Sequence, residues 1–399
     1  MATIATDEEI LPTTMLARFA ERCGGYDREN RFFDEDFRDL KEAGYLTVAV
    51  PQEFGGRGMN LAEVCRLQRR LGYYAPATAL GINMHLYWTG VAADLLRHGD
   101  KSLQWMLEEA VSGEVFAAGH SERGNDLPVF LSTAAAKRVD GGFRFTGHKM
   151  FGSLAPVWTR YGLHALWSDA EDGPKIVHAF LARDGAGYRI VETWDTLGMR
   201  ATRSDDVLLE GAFVPDKYVA RIVPAGMGDE FVLAIFAWAL LGFANIYYGV
   251  AQRAMDLVLP SLKNKRSVAV SRSMAYHPEV QHAVAEMALT LDPVGPHIDR
   301  IAEDWSTGVD HGAQWPAKIV SAKYHAVGHA GGSSTSRWRC RAPRVCSRRA
   351  NSNGCPVMPD AAASTQPIRC SSMRSSGRRL LASTSASSRA GGRRGRNHA

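Results

Sequence analysis

"GFRFTGHKMFGS", Gly142–Ser153, is the stretch on which the fold reading turns. Phe143 and Phe145 alternate with Arg144, Thr146 and His148, the period of two that marks a half-buried strand. Around it, "IVHAFLAR" (176–183), "YRIVET" (188–193) and "DDVLLEGAFV" (205–214) are short alternating or apolar runs separated by Gly, Asp and Pro. This is the pattern of a small β-barrel or sandwich, and it is expected to occupy 116–223.

On both sides the period changes to helical. From Phe33 to Val115 apolar residues recur at spacings of three and four, broken at Pro51 and Gly55–Gly56. Asn60 with Glu63 three residues on is a capping box, so a helix is expected to start there. After the strands, "DEFVLAIFAWALLGFANIYYGVAQRAMDLVLPSLKNK" (229–265) is apolar nearly all round, which predicts a helix buried on several sides. A second helix is expected over 277–305 with Pro278 in its first turn, and a third opens at Trp315 with no visible end before the Gly–Ser run that follows. The fold class is therefore α+β: an N-terminal helical domain (1–115), a middle β-barrel (116–223) and a partial C-terminal helical bundle (224–330).

The average composition conceals a break. The chain has 399 residues and a formal charge of +5, yet fourteen Arg and a single acid, Asp360, follow Gly331, giving that tail +13 and residues 1–330 a charge of −8. The tail (331–399) lacks helical or strand periodicity and is rich in Arg, Ser, Ala, Gly and Pro, a disordered composition. Re-read one base over, it yields apolar residues at helical spacing, a small-residue turn and a terminator, so it is expected to be out of frame. A bundle ending at Ala330 is then expected to expose Phe236, Trp238, Leu240 and Phe243. The six Cys match no zinc or disulfide pattern, and no metal is expected. No apolar run is read as approaching the roughly 18 residues of a membrane span, and the N-terminus lacks signal-peptide order. The expectation is a cytoplasmic enzyme that binds neither membrane nor nucleic acid.

At this level of detail the chain resembles the acyl-CoA dehydrogenase family of flavoproteins. "LKEAGYLTVAVPQEFGGRGMNLAE" (40–63) is similar to the family's helical-domain signature, "GFRFTGHKMFGS" to its first barrel motif and "WDTLGMRATRSDDVLLEGAFVP" (194–215) to its second. The resemblance implies FAD lying between barrel and bundle, an acyl-CoA substrate oxidised at Cα and Cβ, an electron-transfer flavoprotein as acceptor, and a homo-oligomer. It also places the site. Phe151 would pack on the isoalloxazine, Gly152 would follow it, and Ser153 would offer its hydroxyl to flavin N5, which is an acceptor when oxidised and a donor when reduced. In "HSERGNDLP" (120–128), Ser121, Glu122 and Gly124 fit the loop that holds the flavin ring and pyrophosphate. Arg266 or Lys265 would reach a neighbouring subunit's pyrophosphate, although a solvated charge run reads as well from the residues alone. Arg200 and Asp205 read as loop-fixing.

The catalytic base is not identified. The family's early glutamate position aligns with Ala239, and Glu230 lies about 13 Å away along the same helix at 1.5 Å per residue, where it suits the helix macrodipole better than catalysis. Two alternatives follow from that gap: a non-catalytic binding subunit, and a flavin monooxygenase built on the same fold.

Overall fold

The computed structural model describes residues 6–266 and 272–341, with side chains described as far as residue 328. Six α-helices come first: α1 (Asp7–Ile10), α2 (Thr13–Glu29), α3 (Asp34–Glu42), α4 (Leu61–Tyr74), α5 (Pro76–Arg97) and α6 (Gln104–Val111). The capping box forms as read. Asn60 accepts from the Glu63 N–H at 3.0 Å while the Glu63 carboxylate accepts from the Asn60 N–H at 2.8 Å. α5 opens on Pro76, whose missing N–H would have had no intrahelical partner in any case. It is buried nearly along its whole length, so it is the inner helix of this layer.

The change to strands falls at Phe116. Eight strands follow: β1 (Phe116–Gly119), β2 (Ala135–Val139), β3 (Gly142–Gly152), β4 (Arg160–Trp167), β5 (Lys175–Ala182), β6 (Tyr188–Val191), β7 (Asp205–Pro215) and β8 (Val219–Pro224). They form one sheet in the order β6-β7-β3-β2-β4-β5-β8, with β1 pairing parallel to β4. The expected barrel is thus a curled sheet whose outer strands, β6 and β8, do not pair with each other. Short β6 limits how far that edge can extend.

Four helices complete the described chain: α7 (Glu230–Asn264), α8 (Pro278–Leu291), α9 (Val294–Ser306) and α10 (Trp315–Arg341). The Asp229 carboxylate caps α7 by accepting from the Val232 N–H at 3.1 Å, and Glu230 stands exposed in the first turn. The single helix expected over 277–305 is two. Pro293 has no N–H to continue the ladder, so α8 ends at Leu291 although Asp292 keeps helical dihedrals.

Two further expectations are corrected, while the stretch that begins at Gly331 opens as the last turns of α10, which runs to Arg341. The rest of the arginine-rich tail, 342–399, lies outside the described residues. Trp238 and Leu240 are buried and Phe236 and Phe243 half-buried, covered by α5, α10 and the sheet loops. Trp238 donates from its indole to Asp94 at 2.6 Å. Finally, α7 is long and apolar enough to cross a membrane by length and composition, and 83% of its most apolar window is buried inside the fold. Burial against α4, α5, α9 and α10 accounts for that composition.

Candidate functional site

The register of β3 against β7 breaks between Lys149 and Gly152, and the break re-aims one side chain. Phe151 sits in the left-handed region with φ 61°, as does Leu154 at 64°. Such backbone costs about 1–3 kcal/mol and persists where surrounding structure enforces it. Here the turn is closed by the Ser153 N–H donating to the Phe151 carbonyl at 2.9 Å, and the Leu154 and Ala155 N–H groups donate to Thr202 and Arg203.

The result is that Phe151 and Ser153 face a cavity of about 190 Å³ between sheet and helices. A water occupies roughly 30 Å³, so there is room for an organic ring system. Helix α5 contributes Met84 and Tyr87, α7 contributes Ile235, Phe236, Ala239 and Phe243, and Lys323 reaches in from α10. Phe151 meets Trp194 edge to face, with ring centroids 5.9 Å apart. Hydroxyls gather at one end. Ser153 Oγ lies 2.7 Å from Ser204 Oγ, which lies 2.7 Å from Thr202 Oγ1, and that hydroxyl donates to the Met199 carbonyl at 2.8 Å. Ser121 and His120 complete the wall.

Sequence-chosen residues are divided by the structure. Ser121, Phe151 and Ser153 are brought together at the cavity. Gly152 lies behind them, paired with Asp205, where an added Cβ would come within 2.9 Å of the Asp205 carbonyl oxygen. Gly124 occupies a loop position with φ 79°, away from the cavity lining. Glu122 is buried, and its carboxylate turns inward to Lys149, to Ser132 and to the Thr133 N–H at 2.7 Å. Burial works against that carboxylate, but the Lys149 charge and the hydrogen bonds from Lys149, Ser132 and Thr133 hold its pKa below the ordinary range. Arg266 lies elsewhere, with Lys263, Arg272 and Tyr276 around a second cavity of about 500 Å³. Ala239 lines the first cavity, as its sequence position suggested, and Glu230 does not.

Among the wall residues that escaped the sequence reading are His120, Trp194, Tyr247 and Lys323. His120 follows directly on β1, and adjacency to Ser121 was the only local signal. Lys323 sits on an expected helix, but its direction depends on how α10 crosses α7.

A flat ring with an apolar body and a polar edge fits this lining. Phe151 and Trp194 supply aromatic surface, and Ser153 can both donate and accept at the edge. The Tyr87 hydroxyl and the His120 Nε2 are shielded and have no protein partner, as polar atoms awaiting a ligand or water are.

Known proteins share this fold. Residues 8–114 match the acyl-CoA dehydrogenase N-terminal domain family. Mitochondrial isovaleryl-CoA dehydrogenase of Solanum tuberosum is 27% identical over 75% of this chain and 73% of its own length. The amino sugar nitrososynthase DnmZ of Streptomyces peucetius is 26% identical over 70% and 69%. Among solved structures, KijD3 in complex with FMN and a dTDP-linked amino-keto sugar superposes with a TM-score of 0.77 at 21% identity, covering 91% of this chain and 90% of KijD3. Methanesulfinate monooxygenase MsuC of Pseudomonas fluorescens gives 0.77 at 17%, covering 95% and 97%. Residues 8–114 are thus similar to the acyl-CoA dehydrogenase N-terminal domain, and the chain as a whole shares its fold with solved structures that hold FMN or FADH2.

Proposed function

We propose that this chain is a flavin-dependent monooxygenase built on the acyl-CoA dehydrogenase fold, and that it does not dehydrogenate acyl thioesters. One observation carries the reading: among the described residues, no Asp or Glu lines the cavity, and Ala239 stands where a base is wanted. Removing an α-proton without a positioned carboxylate loses about 10²–10⁴-fold, and the His120 imidazole on this wall is a weak base because burial holds it neutral, so the dehydrogenase reading lacks its principal chemical group.

Bound in reduced form, the flavin, as FAD or FMN, would supply two electrons to dioxygen, so that one oxygen atom passes to the substrate and the other leaves as water. This chain's residues have three tasks in that scheme. Phe151 and Trp194 hold the ring system. Ile235, Phe236 and Phe243 keep bulk water from the reacting end, which favours oxygen transfer over wasteful release of peroxide. Ser153, fixed by Ser204, holds a hydroxyl at the polar edge. The apolar wall suits a compact substrate with an apolar body and one oxidisable atom. The names of DnmZ and MsuC support the same class.

The test supplies reduced FMN or FAD from a separate reductase with NADH, under isotopically labelled dioxygen, to a panel of small amines and sulfur compounds. Label in one product supports the proposal. Bleaching of bound flavin by an acyl-CoA without air would replace it with the dehydrogenase.

A further inference from the structure

His164 and His178 are direct cross-strand partners on β4 and β5, and His178 is in turn opposite Arg221 on β8. His120 follows β1, whose Gly119 is paired with Leu163, so the register carries His120 to the level of His164. Three imidazoles and a guanidinium thus form a row across four adjacent strands. His120 is at the cavity. Arg221, at the other end, is a quarter exposed and pairs with Asp100 at 2.6 Å and Asp229 at 3.2 Å.

The rings are close but do not hydrogen-bond to each other. Centroids are 5.3 Å apart for His120 and His164, 6.3 Å for His120 and His178, and 5.8 Å for His164 and His178. Trp88 from α5 lies edge-on to His120, and Phe231 from α7 lies edge-on to His178. Four nitrogens in this space are shielded and have no protein partner: Nε2 of His120, Nδ1 of His164 and both nitrogens of His178. Buried polar atoms are nearly always hydrogen-bonded, and one water spans two atoms about 5–6 Å apart. His164 is anchored by its other nitrogen, Nε2, 3.0 Å from the Leu131 carbonyl oxygen.

We propose that His120, His164 and His178, with water between them, form a proton track from the cavity wall to the Arg221 edge of the sheet. His120 exchanges a proton with a molecule in the cavity at one nitrogen and passes one to the intervening water at the other. His178 hands a proton on to solvent at that edge of the sheet, Arg221 keeping its own charge throughout, and His164 fixes the water between His120 and His178. His120 and His178 each gain and lose one proton and end neutral, so one proton moves and no electron does.

The charges facing this row suit neutral rings. Lys149 from β3 and Arg221 from β8 are positive, and Glu122 from the loop after β1 is negative and occupied by Lys149. Burial, and then Lys149, lower His120 to about 3, while burial and the neighbouring imidazoles and cations hold His164 and His178 well below the ordinary value. A metal ion does not suit the row beside Lys149, and among the described residues no group of His, Cys, Asp and Glu is placed to hold one.

The proposal rests on the cavity being the reaction site, and its test separates the two. In flavin-free protein with nitrogen-labelled histidines, magnetic resonance at pH 7 should show three neutral rings, with His120 and His178 in contact with long-lived water. His178→Phe should remove the water contact at His120. In protein loaded with reduced flavin and mixed with air, an indicator dye should report proton exchange at least tenfold slower in His178→Phe, with a larger solvent isotope effect and unchanged flavin affinity. His178→Gln, which keeps a polar side chain but cannot ionise, should show the same slowing if the Phe variant does not fold. Wild-type proton exchange rates in the Gln variant, or no water contact in the unmodified protein, would overturn the track. Failure to bind flavin would instead remove the functional reading, and the water contacts would still decide the track.

Discussion

The Ser153 hydroxyl lies 2.7 Å from that of Ser204 in a wall that is otherwise mostly apolar. Because Ser204 is tied through Thr202 to a carbonyl, the Ser153 oxygen is held at one point rather than rotating freely. Ser153→Ala should therefore weaken flavin binding by about tenfold, the worth of one hydrogen bond of about 1.4 kcal/mol. Fluorescence titration of the free flavin measures it, and an unchanged affinity would remove Ser153 from the flavin edge.

Acid should destabilise this protein early. His85, His164 and His178 are buried, and each is held below its ordinary pKa first of all by burial, His85 at about 4. His85 also accepts from the Phe116 N–H at 3.1 Å and lies 2.9 Å from the Leu46 carbonyl, which fixes one neutral tautomer. Below about pH 6.5 the unfolded chain binds protons that the folded one refuses, so stability is lost as pH falls, at about 1.4 kcal/mol per pH unit for each ring. Asp36 has the opposite sign. Burial raises it to about 6 despite Arg22, Thr78 and Tyr26, so the folded state takes its proton first and gains as pH falls below 6. His120, which burial holds down to about 3, acts the same way, so four against one leaves a net loss of about 4 kcal/mol per unit between pH 6 and 5. Thermal melts across that window should fall steeply, and His178→Gln should flatten the slope; a flat wild-type profile would contradict the buried neutral rings.

Crowding between α5 and α7 makes a second stability test. A Cβ on Gly90 would lie 2.2 Å from a Trp238 ring carbon, whereas one on Gly25 in α2 meets nothing within 4 Å. Gly90→Ala should cost about 1–3 kcal/mol by overpacking, and Gly25→Ala should stabilise by about 0.5–1 kcal/mol. Denaturant midpoints should move in opposite directions.

Asp94 joins three elements. Its carboxylate accepts from the Trp238 indole at 2.6 Å and the Trp305 indole at 2.8 Å, and it pairs with Arg97. Asp94→Ala leaves two indole N–H groups without that acceptor, at about 1–3 kcal/mol each, and should loosen α9 from α7. Hydrogen exchange should speed up in α9 first; uniform protection would contradict this account.

What was legible in the sequence was local. Asn60 and Glu63 are three residues apart and cap one turn, and the alternation of Phe143 and Phe145 needs only its own strand. Pro293 was equally local, and its break was missed because apolar spacing continued across it. Long-range pairings left no such trace. His164 and His178 read as ordinary strand residues, since only the β4–β5 register sets them side by side. Glu122 read as a ligand of the cofactor because nothing in its loop shows that Lys149, on β3, claims it. Ala239 was the reverse case, a position carried over from family resemblance that the structure places on the cavity wall.

The most direct test of the functional reading is an anaerobic titration of the flavin-loaded protein with saturated acyl-CoA thioesters of graded length, followed by flavin absorbance. A cavity with Ala239 and no carboxylate should leave the oxidised flavin unbleached throughout. Bleaching by any member of the series at a catalytic rate would show that a base is present and that this protein is a dehydrogenase after all.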